Sequence, residues 1–131
     1  MCIRDRRERA PNVLFLLVGE GAEKARILSL ARSRGLTNMH FVGQQPREKI
    51  PAYITASDAC LVLLKRAELF KTVLPTKMLE FMACARPVIL GVDGHARSVM
   101  EQANAGIFVP PEDPARLAEA VACLLYTSRC V

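Results

Sequence analysis

A doubly wound, parallel α/β sheet of Rossmann-like form is the fold this sequence predicts. Three observations point to it. Apolar runs of strand length recur five times, stretches with helical periodicity lie between them, and the two alternate at the spacing of βαβ units. Such alternation gives a parallel sheet with right-handed crossovers and helices on its faces.

The elements follow in order. Arg7 to Pro11 reads as the end of an element whose beginning is absent, so the first strand of the fold is expected to be missing. NVLFLLVGEG (12–21) is a continuous apolar run closed by glycines, the pattern of a strand buried on both faces. A helix is expected from Ala22 to Arg34, with Ile27, Leu28, Leu30 and Ala31 inward, Glu23, Lys24, Arg26, Arg32 and Arg34 solvated, and Gly35 as a left-handed cap. Asn38 to Val42 is a short strand, Pro46 to Ala56 one or two helical turns, and Asp58 to Leu64 (DACLVLL) a buried strand. A polar loop from Lys65 to Leu74 leads to a helix beginning at Pro75 and ending near Ala85. Arg86 to Leu90 is the next strand, GVDGHARSVMEQANA (91–105) a loop and helix, and GIFVP (106–110) the last strand. Asp113 is the expected N-cap of the closing helix, with Pro114 in its first position and Leu117, Ala120 and Val121 on its inner face.

Composition limits the function classes. The 131 residues are 51% hydrophobic and 24% charged, with a formal net charge of +5. No apolar run approaches the roughly 20 residues of a membrane helix, and MCIRDRRERA has no signal-peptide core. A cytoplasmic or membrane-peripheral protein is expected. Cys2, Cys60, Cys84, Cys123 and Cys130 form neither an even-numbered disulfide framework nor a metal-ligand spacing, so no metal site is expected. His40 and His95 stand alone, at ordinary strand and helix-entry positions.

Both ends share an oddity that the genetic code exposes. Met1 to Arg6 can be encoded ATG TGT ATA AGA GAC AGN, and the reverse complement of its invariant part, read one base on, gives Cys-Leu-Leu-Tyr-Thr, the residues from Cys123 to Thr127. Ser128 to Val131 can be TCT AGA TGT GTA, after which the forward string supplies TAA. Residues 1–6 and 123–131 therefore resemble a transposase-type library adapter translated at both ends, leaving residues 7–122 as the natural segment. Without Arg4, Arg6, Arg129 and Asp5, 15 basic residues face 12 acidic ones, a net +3 that does not argue for nucleic acid. Cys60 and Cys84 are the cysteines of that segment, each in an apolar stretch, as expected of reduced core thiols.

Ligands of open parallel sheets bind at the carboxyl ends of the strands. Three loops there could carry chemistry. Gly19-Glu20-Gly21 is either a close approach of backbone to a ligand or a tight turn needing positive φ; the fuller GxGxxG fingerprint is absent. Gly43-Gln44 in VGQQP presents backbone amides to a planar base or is an ordinary surface turn. Leu74 to Ile89 (LPTKMLEFMACARPVI) is the most specific. There a helix N-terminus at Pro75 offers free N–H groups, a hydroxyl at Thr76 and an ammonium at Lys77, a combination suited to a diphosphate. Glu80 lies one turn on from Thr76, where a carboxylate can accept two vicinal ribose hydroxyls; the alternative is a solvated helix residue.

Residues 13–122 resemble throughout the C-terminal, nucleotide-binding domain of family 4 (group 1) retaining glycosyltransferases, one half of a GT-B fold. The resemblance is carried by VGEGAEK (18–24), NMHFVGQQPREKIPAYITASDACLVLL (38–64), LPTKMLEFMACARPVI (74–89) and AGIFVPPEDPARLAEA (105–120). FKTVLPTKMLEFMA is most similar to the bacterial surface-polysaccharide branch, which includes N-acetylfucosamine and colanic-acid transferases.

The resemblance implies a site for a nucleoside diphosphate sugar, usually UDP-linked. Glu80 corresponds to the second glutamate of an E-x7-E motif that holds the ribose hydroxyls, Thr76 and Lys77 to positions beside the diphosphate, and Gly43 and Gln44 to main chain that meets the base. Two positions depart from the pattern. Thr72 stands where the first glutamate would fall, removing an acidic contact to the sugar, and Ala85 stands where glycine is usual, straining the helix exit. No DxD metal motif occurs, in keeping with stabilisation of the departing diphosphate by a helix N-terminus and a lysine; no cofactor is implied. Acceptor and catalytic residues would come from an N-terminal domain that the chain lacks, so the chain alone is expected to be inactive. Two alternatives stay open: a GT-B-fold UDP-sugar 2-epimerase, and a non-catalytic Rossmann-like nucleotide-binding module.

Overall fold

The computed structural model describes residues 12–126. Of the expected tails at 1–6 and 123–131, residues 1–6 and 127–131, with Cys2 and Cys130, lie outside them, as does the segment 7–11, whereas residues 123–126 are described and helical. The chain divides after Ile50 into two compact units.

In the first unit, β1 (Phe15–Val18) and β2 (Met39–Val42) pair in parallel, Phe15 opposite Met39 and Val18 opposite Val42, with α1 (Lys24–Ser33) between them in sequence. Helix α1 ends as a Schellman motif: Leu36 N–H reaches Ala31 O at 3.0 Å and Gly35 N–H reaches Arg32 O at 3.1 Å, with Gly35 at φ +62°. Two expectations are corrected here. Leu30 faces solvent, because the inward stripe runs through Ile27, Leu28 and Ala31 and Leu30 sits about 100° away from Ala31. Strand β1 is not buried on both faces: Phe15 is buried, whereas Leu14 is 65% exposed and Leu16 37%. Alternate residues of a strand face opposite sides, and the side bearing Leu14 and Leu16 is the open one. A 3-10 turn (Arg47–Lys49) ends this unit, and α2 (Ile50–Ala56) lies in the second unit from Pro51 on.

In the second unit, β3 (Cys60–Leu63), β4 (Val88–Gly91) and β5 (Gly106–Phe108) form a parallel sheet in that order. Between them run α3 (Thr76–Ala83) and α4 (His95–Gln102), and α5 (Pro114–Tyr126) closes the described chain. The Asp113 carboxylate caps α5 by accepting from Arg116 N–H at 3.1 Å, and Leu117, Ala120 and Val121 are buried, as expected. Central β4 is buried along its whole length, as its continuous apolar run predicts, while Leu63 at the end of β3 is exposed. The core joins Val62, Val88, Leu90 and Val92 of the sheet region to Met78 of α3 and to Ala96 and Met100 of α4. Gly106 is obligatory: a Cβ there would lie 1.9 Å from Val88 O.

The five strands thus pair as two and three rather than as one ladder. Among the described residues, no helix is long and apolar enough to cross a membrane.

Candidate functional site

In the first unit, the turns after β1 and β2 lie side by side. Gly19 N–H donates to Val42 O at 3.0 Å, and a Cβ on Gly43 would sit 3.2 Å from a Glu20 carboxylate oxygen. Gly19 has φ +132° and open space around it, so it meets the requirement for a tight turn. Gly21 has no positive φ and is also open. Glu20, which the sequence did not single out, receives an ion pair from Lys24 at 2.6 Å. Gln45 closes the second turn by donating to Gly43 O at 3.3 Å.

In the second unit, Pro75 is the N-cap of α3 rather than its first helical residue, in extended geometry (φ −62°, ψ +126°). One buried side chain orients the helix. Met78 is 0% exposed, and Thr76 and Glu80, two residues before and after it, lie about 200° from it around the axis. Both therefore point outward within one turn of each other, and both are exposed, as is Lys77. Neither Lys77 nor Glu80 has a side-chain partner among the described residues, whereas nearby Lys71 pairs with Glu68 at 3.0 Å. An acceptor, a cation and a hydroxyl thus stand unengaged over the first two turns, beside the Thr76 and Lys77 N–H groups of the helix start; the Met78 N–H donates to Pro75 O at 3.1 Å.

The loop from Lys65 to Leu74 contains a 3-10 turn, Glu68–Thr72, which sequence reasoning missed because so short a turn has no apolar period. Thr72 is exposed, with its hydroxyl bonded to Leu69 O at 3.0 Å. Phe70 and Leu74 on either side of it pack on the core. Gly19, Gly21, Gly43 and Gln44 therefore gather at one pair of strand ends in the first unit. Thr72, Pro75, Thr76, Lys77 and Glu80 gather on one helix and the turn before it in the second.

Cys60 and Cys84 are free thiols. Burial pushes the Cys60 thiol up, the Arg86 guanidinium opposes this and Cys84 adds to it. Both cysteines flank the opposite, amino-terminal ends of β3 and β4, away from the α3 N-terminus in sequence and register. Arg97 is raised above its ordinary value chiefly by its hydrogen bond to Glu101. Among the described residues no group of His, Cys, Asp or Glu could hold a metal ion.

Known proteins share this arrangement of elements. The chain is 33% identical over 89 residues to the colanic acid biosynthesis glycosyl transferase WcaI of Escherichia coli, covering 68% of this chain and 22% of that protein. It is 29% identical over 112 residues to 2-deoxystreptamine N-acetyl-D-glucosaminyltransferase of Streptomyces fradiae, 85% of this chain and 25% of the relative. The chain thus spans about a quarter of the length of these relatives. Sucrose-phosphate synthase from Thermosynechococcus elongatus superposes with a TM-score of 0.71 at 28% identity, over 95% of this chain and 32% of that one. Anabaena Alr3699/HepE, solved with UDP and glucose, superposes with a TM-score of 0.72 at 24% identity, over 96% of this chain and 35% of that one, and shares the fold. The family model described as glycosyl transferases group 1 matches residues 3–128. With that family model matching nearly the whole chain, the chain belongs to the group 1 glycosyl transferase family.

Proposed function

We propose that the chain is the donor-binding half of a retaining glycosyltransferase that moves a sugar from a nucleoside diphosphate sugar, UDP-linked, to a polysaccharide or lipid-linked acceptor. The observation that carries this reading is the unengaged trio on α3. The Glu80 carboxylate accepts from the ribose hydroxyls, while the Lys77 ammonium, the Thr76 hydroxyl and the α3 N–H groups after Pro75 receive the diphosphate. In the first unit, the resemblance assigns Gly43 and Gln44 to main-chain contact with a base, and Gly19 and Gly21 to close approach of backbone to a ligand. Thr72 stands on the sugar side without the charge of an acid. Solved relatives that hold UDP with glucose or with GlcNAc support the ligand class.

In the transfer, the bond from the anomeric carbon to the diphosphate breaks with its electron pair leaving on the phosphate oxygen. The acceptor hydroxyl oxygen forms the new bond and gives up its proton. Charge therefore grows on the diphosphate, where Lys77 and the helix N-terminus are preorganised to stabilise it. The acceptor site and the group that handles the proton belong to a second, N-terminal domain. The natural segment is residues 7–122, and the whole enzyme works in the cytoplasm at the inner face of the membrane.

The test is product analysis with the full-length protein that contains this segment. Transfer of sugar from a UDP-sugar only when an acceptor is present supports the reading. Epimerised UDP-sugar formed without an acceptor, or no reaction with UDP-sugars, contradicts it.

A further inference from the structure

We propose that the Asp93-Gly94 turn is the positioning element for the sugar side of the donor site. It sets where the Thr72 turn lies against α3, and the inference rests on the donor-site reading above. Gly94 has φ +87° and ψ −131°, and its α-carbon is pressed against the 3-10 turn Glu68–Thr72. A Cβ there would lie 2.3 Å from Lys71 O, 2.7 Å from Lys71 Cα and 2.8 Å from Lys71 Cβ. These are main-chain atoms or atoms fixed to the main chain, so no side-chain rotation relieves the collision.

The turn cannot retreat either. Ala96 and Met100, which follow on α4, are 0% exposed in the core. The Gly94 N–H donates to the Asp93 carboxylate at 2.8 Å, and Arg97 spans from Asp93 (3.6 Å) to Glu101 (2.9 Å). The same guanidinium lies 3.9 Å above the Phe108 ring of β5, which ties the turn to the sheet. Phe70 and Leu74 anchor the other partner from the core side. Any side chain at position 94 must therefore displace the segment that carries Thr72, by about an ångström on ordinary contact distances. The α3 trio, oriented by Met78, would stay in place. Gly94 thus acts on the segment that carries Thr72, since the nearest atoms that a Cβ there would meet all belong to Lys71.

The experiment compares the 131-residue chain with Gly94→Ala, Arg97→Met and Gly35→Ala. Amide spectra are recorded without ligand, and then UDP, UDP-glucose and UDP-N-acetylglucosamine are titrated. Gly35→Ala is the control, since Gly35 has φ +62° but a Cβ added there would meet nothing within 4 Å. In Gly94→Ala the amides of residues 68–72 are expected to shift, and the better-bound UDP-sugar to weaken about tenfold while UDP alone changes less than about threefold. Arg97→Met removes the brace without a collision, and a smaller loss in the same ratio is expected, which keeps the proposal testable if Gly94→Ala does not fold. Gly35→Ala should lower stability and leave the ratio unchanged. Unshifted amides at 68–72, or equal weakening of UDP and UDP-sugar in both variants, would overturn the role of Gly94. Wild-type chain that binds none of the three nucleotides overturns the donor-site reading and the sugar-side role with it. The ligand-free spectra distinguish that failure from a turn that does not move.

Discussion

Thr76, Lys77 and Glu80 owe their placement to Met78. With that side chain sealed in the core, the helix can turn only one face outward, and the face carries the three polar groups. Losing a hydrogen bond to a charged group costs about 1.5–3 kcal/mol. Glu80→Ala and Lys77→Ala should each weaken UDP binding about tenfold to a hundredfold, read by calorimetry on a chain whose unfolding midpoint is unchanged. Met78→Ala should instead cost about 2–5 kcal/mol of stability by opening a cavity, read by denaturant unfolding. At Cys60 the raised thiol makes a pH prediction. A group protonated more firmly in the folded state contributes fully below the ordinary thiol range, and that contribution is lost as pH rises through the raised value. Wild type should lose more stability than Cys60→Ala between pH 7 and pH 10; an equal loss would contradict the assignment. At this scale the α3 residues were legible in the sequence, because a proline, a hydroxyl, a lysine and a glutamate at helical spacing are local chemistry. Gly94 was not, since its need for glycine comes from Lys71, more than 20 residues earlier and brought close by folding.

The helices α1, α3 and α4 all end in the same motif, with Gly35, Ala85 and Asn104 in the left-handed position. At Ala85, with φ +55°, Ala85 N–H bonds to Met82 O at 3.0 Å and Arg86 N–H to Phe81 O at 3.1 Å. A left-handed conformation costs a non-glycine residue roughly 1–2 kcal/mol. Ala85→Gly should therefore raise stability by about 1 kcal/mol, after allowance for glycine's greater freedom when unfolded, with UDP affinity unchanged. A destabilised Ala85→Gly protein would contradict the cap assignment. Elements of this kind were readable in order because caps, prolines and apolar runs are local signals, as at Asp113-Pro114. Burial was less readable. The run NVLFLLV looks the same whether one face or both are covered, and only the neighbouring elements decide that Leu14 and Leu16 face outward. The exposure of Leu63 and of Leu30 escaped for the same reason.

For the whole molecule, the strands of each unit pair in parallel, as the alternation of strand and helix in the sequence implies. The chain spans about a quarter of its relatives' length, and the transfer reaction proposed above is one for the complete protein. The 131-residue chain by itself should bind nucleotide and show no sugar transfer; turnover by this chain would contradict the division of labour between two domains. Binding to the folded state alone also stabilises it, by about 2.7 kcal/mol at a hundredfold excess over Kd, so UDP should raise the unfolding midpoint. The most direct measurement is calorimetric titration of UDP into the wild-type chain and into Glu80→Ala. Binding by the wild type that falls about tenfold or more in Glu80→Ala is the predicted result, and equal affinity in the two proteins, or no binding by the wild type, would contradict the assignment of α3 as the donor site.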